Sequence, residues 1–300
     1  MMRNKIKQMG SHLSCYAIIL PTYILIAVFG FTPFFWALKV SFYRYEIGGE
    51  SAFVGLSNYA EYFSDPVFLP SFANMCFLTA FAVCVNIIFP LVIAKMIFSL
   101  ASERARYFFR IVFLVPIVVP VVATQLIWQG LVYSDHGLIN QFMEKIGYGH
   151  LAAGWLSDPQ TVLWAIAFIG FPWASGINIL IFYAGLSNIP DSVHEASYLD
   201  GAGGIRKFLI IDIPLVLSQV KLIFMLTIIA GVQGFENIFI LTKGGPGFKS
   251  MVPGLWMYYN AFSFQRMGYA CAIGAILFVI ILVLTALNIR YFKSSESVQR

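Results

Sequence analysis

Six long apolar runs divide this chain of 300 residues, at about 14–38, 72–98, 107–132, 160–186, 210–241 and 268–292. A membrane helix needs roughly twenty mostly apolar residues, so each run is a candidate span. The pattern predicts an all-α membrane protein with six transmembrane helices in one domain, 14–292, and a short tail on either side, 1–13 and 293–300. Pro21 and Pro33 fall in the first run, Pro116 and Pro120 in the third. Proline is tolerated in membrane helices and often bends them. The fifth run is long because it includes a helix leading into the span. Between the third and fourth runs the chain is long enough for one or two short helices lying at the membrane surface.

Polar positions gather in one loop, 187–214, between the fourth and fifth runs. Ser192 and Glu195 stand three apart, the spacing of a capping box. Asn188 precedes Pro190, and proline fits the first turn of a helix. Gly201 sits where a left-handed residue would stop that helix. Gly203 and Gly204 allow a sharp redirection. A second helical pattern starts near Ile205 and meets Pro214, which predicts a kink or the start of the next span. The local expectation is a short capped helix, a glycine turn and a return to the membrane. Spacing alone fits an ordinary surface loop equally well.

Composition agrees with a lipid-facing surface. The chain is 59% hydrophobic and 11% charged, against about a quarter charged in soluble domains. The net charge of +5 points to basic cytoplasmic loops rather than to nucleic acid, because of where the charges fall. Six spans put both termini on one side. The tails and even-numbered turns hold 13 of the 19 Lys and Arg residues, which places both termini and the 187–214 loop in the cytoplasm. The first run is too long for a signal-peptide core and no small-residue cleavage site follows, so it reads as a retained span. Cys15, Cys76, Cys84 and Cys271 lie in or beside apolar runs and read as small hydrophobes, not as disulfides or ligands.

Catalytic chemistry is missing. Gly244–Ser250 contains a Lys-Ser pair but has Phe248 where a phosphate loop needs glycine, and Gly201–Arg206 fails the dinucleotide pattern at Arg206. His12, His136, His150 and His194 form no zinc spacing. The remaining polar positions inside the runs suggest a solute path. Trp173, Asn178, Gln233, Phe235 and Asn237 offer aromatic faces and amides to a hydroxyl-rich ligand. Glu236 is a weaker candidate, since a carboxylate at depth is costly unless it faces water or a partner and an interfacial position is also open. Gln125 and Gln129 share a helix face and fit either a cavity wall or interhelical hydrogen bonds.

Glu195-Ala196-Ser197, Gly201, and then Ile211-Asp212-Ile213-Pro214 resemble the EAA loop of ABC-importer permeases, with Ser197 for the second alanine and Ile213 for leucine. Phe53–Tyr59 (F-V-G-L-S-N-Y), Gly137–Asn140 (G-L-I-N), Trp155–Pro159 (W-L-S-D-P) and Ala184–Pro190 are similar to stretches of binding-protein-dependent sugar permeases. Leu241-Thr-Lys-Gly-Gly-Pro246, Tyr258–Phe262 and Met267–Ala270 resemble the maltose-type first permease subunit. The resemblance implies a type I importer fold in a prokaryotic inner membrane. It implies a second permease subunit, an extracellular or periplasmic solute-binding protein, and two ATPase subunits that hold ATP and Mg, with no cofactor on this chain. It makes Glu195, Ala196, Ser197, Asp200, Gly201, Ala202 and Gly203 the part that couples to the ATPase. The expected cargo is a sugar or oligosaccharide moved by alternating access. The alternatives are a same-fold permease for a non-sugar such as glycerol phosphate, with Lys221 as the one obvious cation inside a span, or an ATP-independent facilitator.

Overall fold

The computed structural model describes residues 16–45 and 51–291. The tails and Cys15 fall outside them. Helix dominates. In chain order the elements are α1 (Tyr16–Val40), the two-residue strands β1 (Tyr43–Arg44) and β2 (Ala52–Phe53), α2 (Ser57–Ser64), α3 (Phe68–Phe98), α4 (Glu103–Val118), α5 (Val121–Val132), α6 (Leu138–Lys145), α7 (Val162–Phe168), α8 (Gly176–Ser187), α9 (Asp191–Leu199), α10 (Gly204–Leu215), α11 (Leu217–Gln233), α12 (Glu236–Leu241), α13 (Pro253–Tyr258) and α14 (Met267–Tyr291). Among the described residues three helices are long and apolar enough to cross a membrane: α1, α3 and Met267–Arg290 of α14. Two bent pairs, α4/α5 and α10/α11, bring the candidate spans to as many as five.

The expected continuous spans give way at particular residues. The third run bends by 87° between α4 and α5, where Pro120 follows Val119 in extended conformation; a residue before proline is pushed out of the helical region. The fourth run, expected as one helix, is instead α7 and α8 separated by 169–175, a stretch that contains Gly170 and Pro172. The fifth bends by 69° at Val216. Upstream of Pro214 the turn Phe208–Asp212 widens to a π-helix, consistent with a proline ring that would crowd the carbonyl four residues back.

The chain forms two compact units. The first comprises the residues up to Asp65 together with Met257–Ile276. In it the F-V-G-L-S-N-Y stretch acts as a staple. The Asn58 amide donates to the carbonyls of Ser41 (2.8 Å) and Tyr43 (2.9 Å), and the hydroxyls of Tyr59 and Ser41 lie 2.6 Å apart. The Tyr269 hydroxyl donates to Asp65 at 2.7 Å. Arg266 pairs with Glu61 and lies 4.4 Å above the Tyr269 ring. The Asn58 and Tyr59 end of this motif therefore makes structural hydrogen bonds.

The second unit, Pro66–Trp256 with the residues from Leu277 onward, carries the core that positions the site. Leu91, Ala94 and Ile97 of α3, Ile179, Phe182, Tyr183 and Leu186 of α8, and Val216 and Ile223 at the start of α11 pack into one buried cluster. Arg110 of α4 lies 4.8 Å over the Tyr183 ring, a cation–π contact that fixes α4 on α8. Helices α3 and α11 approach closely at Gly231, where an added Cβ would meet the Thr79 hydroxyl at 2.5 Å; small residues allow such backbone approaches in membranes. Two further motifs prove structural. Asn140 donates to the carbonyls of Asp135 and Ala153 and accepts from the Trp155 indole at 2.8 Å, which ties G-L-I-N to W-L-S-D-P. The Asn74 amide holds the loop after the G-G-P string through the Met251 carbonyl, at 2.9 Å.

Candidate substrate cavity and coupling helix

Between α11 and α12 the helix stops for two residues. Gly234 is extended and Phe235 has φ −143°, so Gln233 ends one helix and Glu236 begins the next. A cavity of about 480 Å³ opens at this break, within the ~300–1,000 Å³ usual for small-molecule sites. Phe235, Glu236 and Asn237 line it from the break, Phe81 and Asn86 from α3, and Trp173 from the stretch before α8. The Trp173 ring stands 5.5 Å from Phe81, 4.9 Å from Phe89 and 5.2 Å from Phe168, and its indole donates to the Ala167 carbonyl at 3.3 Å. That cluster locks the ring as one aromatic wall.

Four of the six expected path residues, Trp173, Phe235, Glu236 and Asn237, meet in this cavity. Asn178 and Gln233 do not line it. Asn178 sits behind the wall, its amide donating to the Asn86 carbonyl at 3.4 Å. Gln233 is exposed at the end of α11, because the break at Gly234 turns the chain before a continuous helix could place Gln233 beside its neighbours. Of the two readings of Gln125 and Gln129, hydrogen bonding applies: Gln125 donates to the Asn237 side chain, and Gln129 donates to the Leu241 carbonyl at 3.3 Å. Gln125 thereby orients an amide of the cavity. Phe81 and Asn86, which sequence reading missed, lie in an apolar run whose face toward the path has no periodic signal.

The loop 187–214 folds as a nine-residue helix and a glycine stop. The expected capping box is absent. Helix α9 begins at Asp191, with Pro190 in the cap position and no side-chain cap hydrogen bond, so Ser192 already lies inside the first turn. Pro190 sets the start two residues earlier than the box would. The stop is as expected. Gly201 has φ +68°, the Ala202 N–H bonds the Ser197 carbonyl at 2.9 Å, and the Gly201 N–H bonds the Tyr198 carbonyl at 3.1 Å; this is the Schellman arrangement. Glu195, Ala196, Asp200, Gly201 and Gly203 are exposed and Ala202 is half-buried. Ser197 is buried, and its hydroxyl donates to the His194 carbonyl at 2.7 Å, which satisfies the extra polar atom within the helix. Two residues that sequence reading passed over form the tip: Tyr198 is 85% exposed and Leu199 89%.

The helix that follows is clamped. Lys95, near the end of α3, donates to Asp212 of α10 at 2.5 Å, and the Asp212 side chain is fully buried. Lys95 also lies 5.6 Å from the centre of the Phe98 ring. The core cluster around Val216 and Leu186 packs beside this pair, so the stretch leaving α9 is tied to α3 by both charge and packing. Among the described residues no group of His, Cys, Asp and Glu could hold a metal ion.

Comparison with known proteins follows the same lines. Residues 86–291 match the family of the binding-protein-dependent transport system inner membrane component. The probable ABC transporter permease protein YurN of Bacillus subtilis is 29% identical over 94% of this chain and 96% of its own length. The sulfoquinovosyl glycerol transport system permease protein SmoG of Agrobacterium fabrum is 26% identical over 96% and 93%, and the arabinooligosaccharides transport system permease protein AraP of Bacillus subtilis 28% over 92% and 87%. A crystal structure of a bacterial alginate ABC transporter, in complex with an alginate pentasaccharide-bound periplasmic protein, has a chain of the same fold: TM-score 0.81, 20% identity, 94% of both chains covered. The chain belongs to the binding-protein-dependent transport system inner membrane components, as a multi-pass ABC importer permease whose ATPase is a separate subunit.

Proposed function

We propose that this permease carries a sugar or oligosaccharide, released by an extracellular or periplasmic binding protein, along a path that includes the cavity at the α11/α12 break. The observation that carries the reading is the composition of that cavity: the aromatic faces of Trp173, Phe81 and Phe235 beside the amides of Asn86 and Asn237. Such faces stack on the apolar side of a sugar ring, and amides both donate to and accept from hydroxyls. Broken membrane helices commonly build solute sites where the backbone leaves its own hydrogen bonding. The names of SmoG and AraP, which concern those proteins, point the same way.

In this reading six spans cross the membrane: α1, α3, α4/α5, α7/α8, α10/α11/α12 and α14, within 14–292 and between cytoplasmic tails 1–13 and 293–300. The partners are a second permease subunit, in a heterodimer, and two ATPases that hold ATP and Mg. Helix α9, with Glu195, Ala196, Ser197, Asp200, Gly201, Ala202 and Gly203, docks on one ATPase and transmits its closure, so that the transmembrane pair opens outward and then inward. The exposed tip Tyr198–Leu199 supports the docking role. Lys221 is not among the residues lining the cavity, which weakens the glycerol-phosphate alternative.

The test is ATPase activity of the co-expressed complex in lipid with its binding protein, across a panel of mono- and oligosaccharides. Stimulation by one of them is the expected result. Activity that ignores every sugar would reopen the substrate class, and failure of any ATPase to co-purify would remove the coupling role of α9.

A further inference from the structure

The cavity at the α11/α12 break contains one formal charge. Glu236 lines it, and no Lys, Arg or His is among the lining residues. Lys221 lies five residues before Leu226, the first α11 residue of the cavity wall, and does not itself line the cavity. Lys243 and Lys249 follow α12 and do not line the cavity. The Glu236 side chain accepts from the Phe235 N–H at 3.3 Å, and the residue is exposed and among those that line the cavity. A carboxylate within a membrane domain is tolerated where it faces a water-filled space.

We infer that Glu236 sorts solutes by charge, and that the substrate class of this permease is neutral or amino-bearing saccharides rather than uronates, sulfonates or phosphorylated sugars. The inference rests on the proposed reading of this cavity as part of the sugar path. The physical reason is direct. A negative group on a sugar seated against Phe235 and Asn237 stands a few ångströms from the Glu236 carboxylate, with no cation on the wall to offset it. Like charges at that range, in a partly desolvated site, repel strongly enough to discriminate. A neutral hydroxyl can donate to the same carboxylate, and an ammonium group gains a charge-assisted hydrogen bond. The structural neighbour handles alginate, described as an acidic polysaccharide. On this reading the shared fold carries cargo of opposite electrostatic demand, and the residues at the break set which.

A plainer role for Glu236 is to satisfy the backbone at the start of α12. Glutamine keeps an acceptor oxygen for the Phe235 N–H, so charge sorting and backbone capping separate in the variants Glu236→Gln and Glu236→Asp. The experiment is saturation-transfer NMR on the complete transporter in lipid nanodiscs, with glucose, glucosamine and glucuronate as probes, in wild type, Glu236→Gln, Glu236→Asp and Trp173→Ala. The expected wild-type result is binding of glucose and glucosamine at least ~10-fold tighter than glucuronate. Glu236→Gln brings the glucose-to-glucuronate ratio to within about twofold of unity, and Glu236→Asp keeps the wild-type ratio. Equal binding of all three by wild type, or an unchanged ratio in Glu236→Gln, overturns charge sorting while leaving the sugar path in place. Binding that survives intact in Trp173→Ala sinks the sugar path itself.

Discussion

The run from α10 to α12 is broken twice, and the two breaks are filled differently. At Val216 the chain bends by 69°, yet Val216 itself is fully buried and four residues upstream the buried Asp212 is paired with the partly exposed Lys95. At Gly234–Phe235 the helix stops and a cavity opens, with neutral hydrogen bonds such as that from Gln125 to Asn237 in place of an ion pair. One interruption is a joint that holds two helices at a fixed angle. The other is a seat that leaves polar and aromatic groups available. The comparison teaches that a helix break in a membrane protein has no single meaning. What the neighbouring helix supplies decides it: Lys95 from α3 at the first, Phe81 and Asn86 from the same helix at the second.

The sharpest way to break the contrast is to remove half of the clamp. Lys95→Met strands the Asp212 carboxylate in the core, and loss of one partner of a buried pair costs about 3–5 kcal/mol. Thermal unfolding in detergent should show it, and Lys95→Met with Asp212→Leu should recover most of the loss, since the pair as a whole contributes little net stability. A large loss in the single variant that the double variant fails to recover would mean that the charges do more than neutralise each other. Next in size is Gly231→Leu. Its side chain would drive into Thr79 of α3 and overpack the α3/α11 crossing by about 1–3 kcal/mol, read by the same unfolding assay, and would narrow the seat without touching the joint. The smallest stability effect belongs to Gly201. Nothing stands within 4 Å of a Cβ added there, so Gly201→Val pays only backbone strain, about 1–2 kcal/mol, while abolishing sugar-dependent ATPase stimulation. Gly201→Asn, which tolerates a left-handed φ, should keep most of that stimulation. Equal loss in both variants would show that ATPase contact at this position, rather than backbone conformation, is what matters.

The glycine stop was legible because a left-handed residue carries a strong local signature, and Gly201 sits just past the C-cap residue Asp200. The helix start was misread because Ser192 and Glu195 fit a cap by spacing while Pro190 had already fixed the first turn. The cavity was half legible. Residues 235–237 are consecutive at the break and stay together, whereas Asn178 and Gln233 are candidates for their amides alone, and side-chain chemistry does not say which face of a helix meets a cavity. The clamp was out of reach: Lys95 and Asp212 are 117 positions apart, and each alone reads as an ordinary charge near a span end. The continuity of the fourth run was out of reach likewise, since hydropathy averages over Gly170 and Pro172 and cannot see that the run is two helices.

The tip of α9 has a consequence for how the transporter is made. Tyr198 and Leu199 stand almost wholly bare on a short helix that its own hydrogen bonds keep in shape. A bare apolar pair of this kind invites non-specific association. If the proposed ATPase covers it, a subunit synthesised in excess is left with a finished fold and an adhesive knob. Quality control would then act on assembly rather than on folding: orphan chains would be marked for proteolysis by the same two side chains that complete the machine, and balanced expression of the subunits becomes a physical requirement.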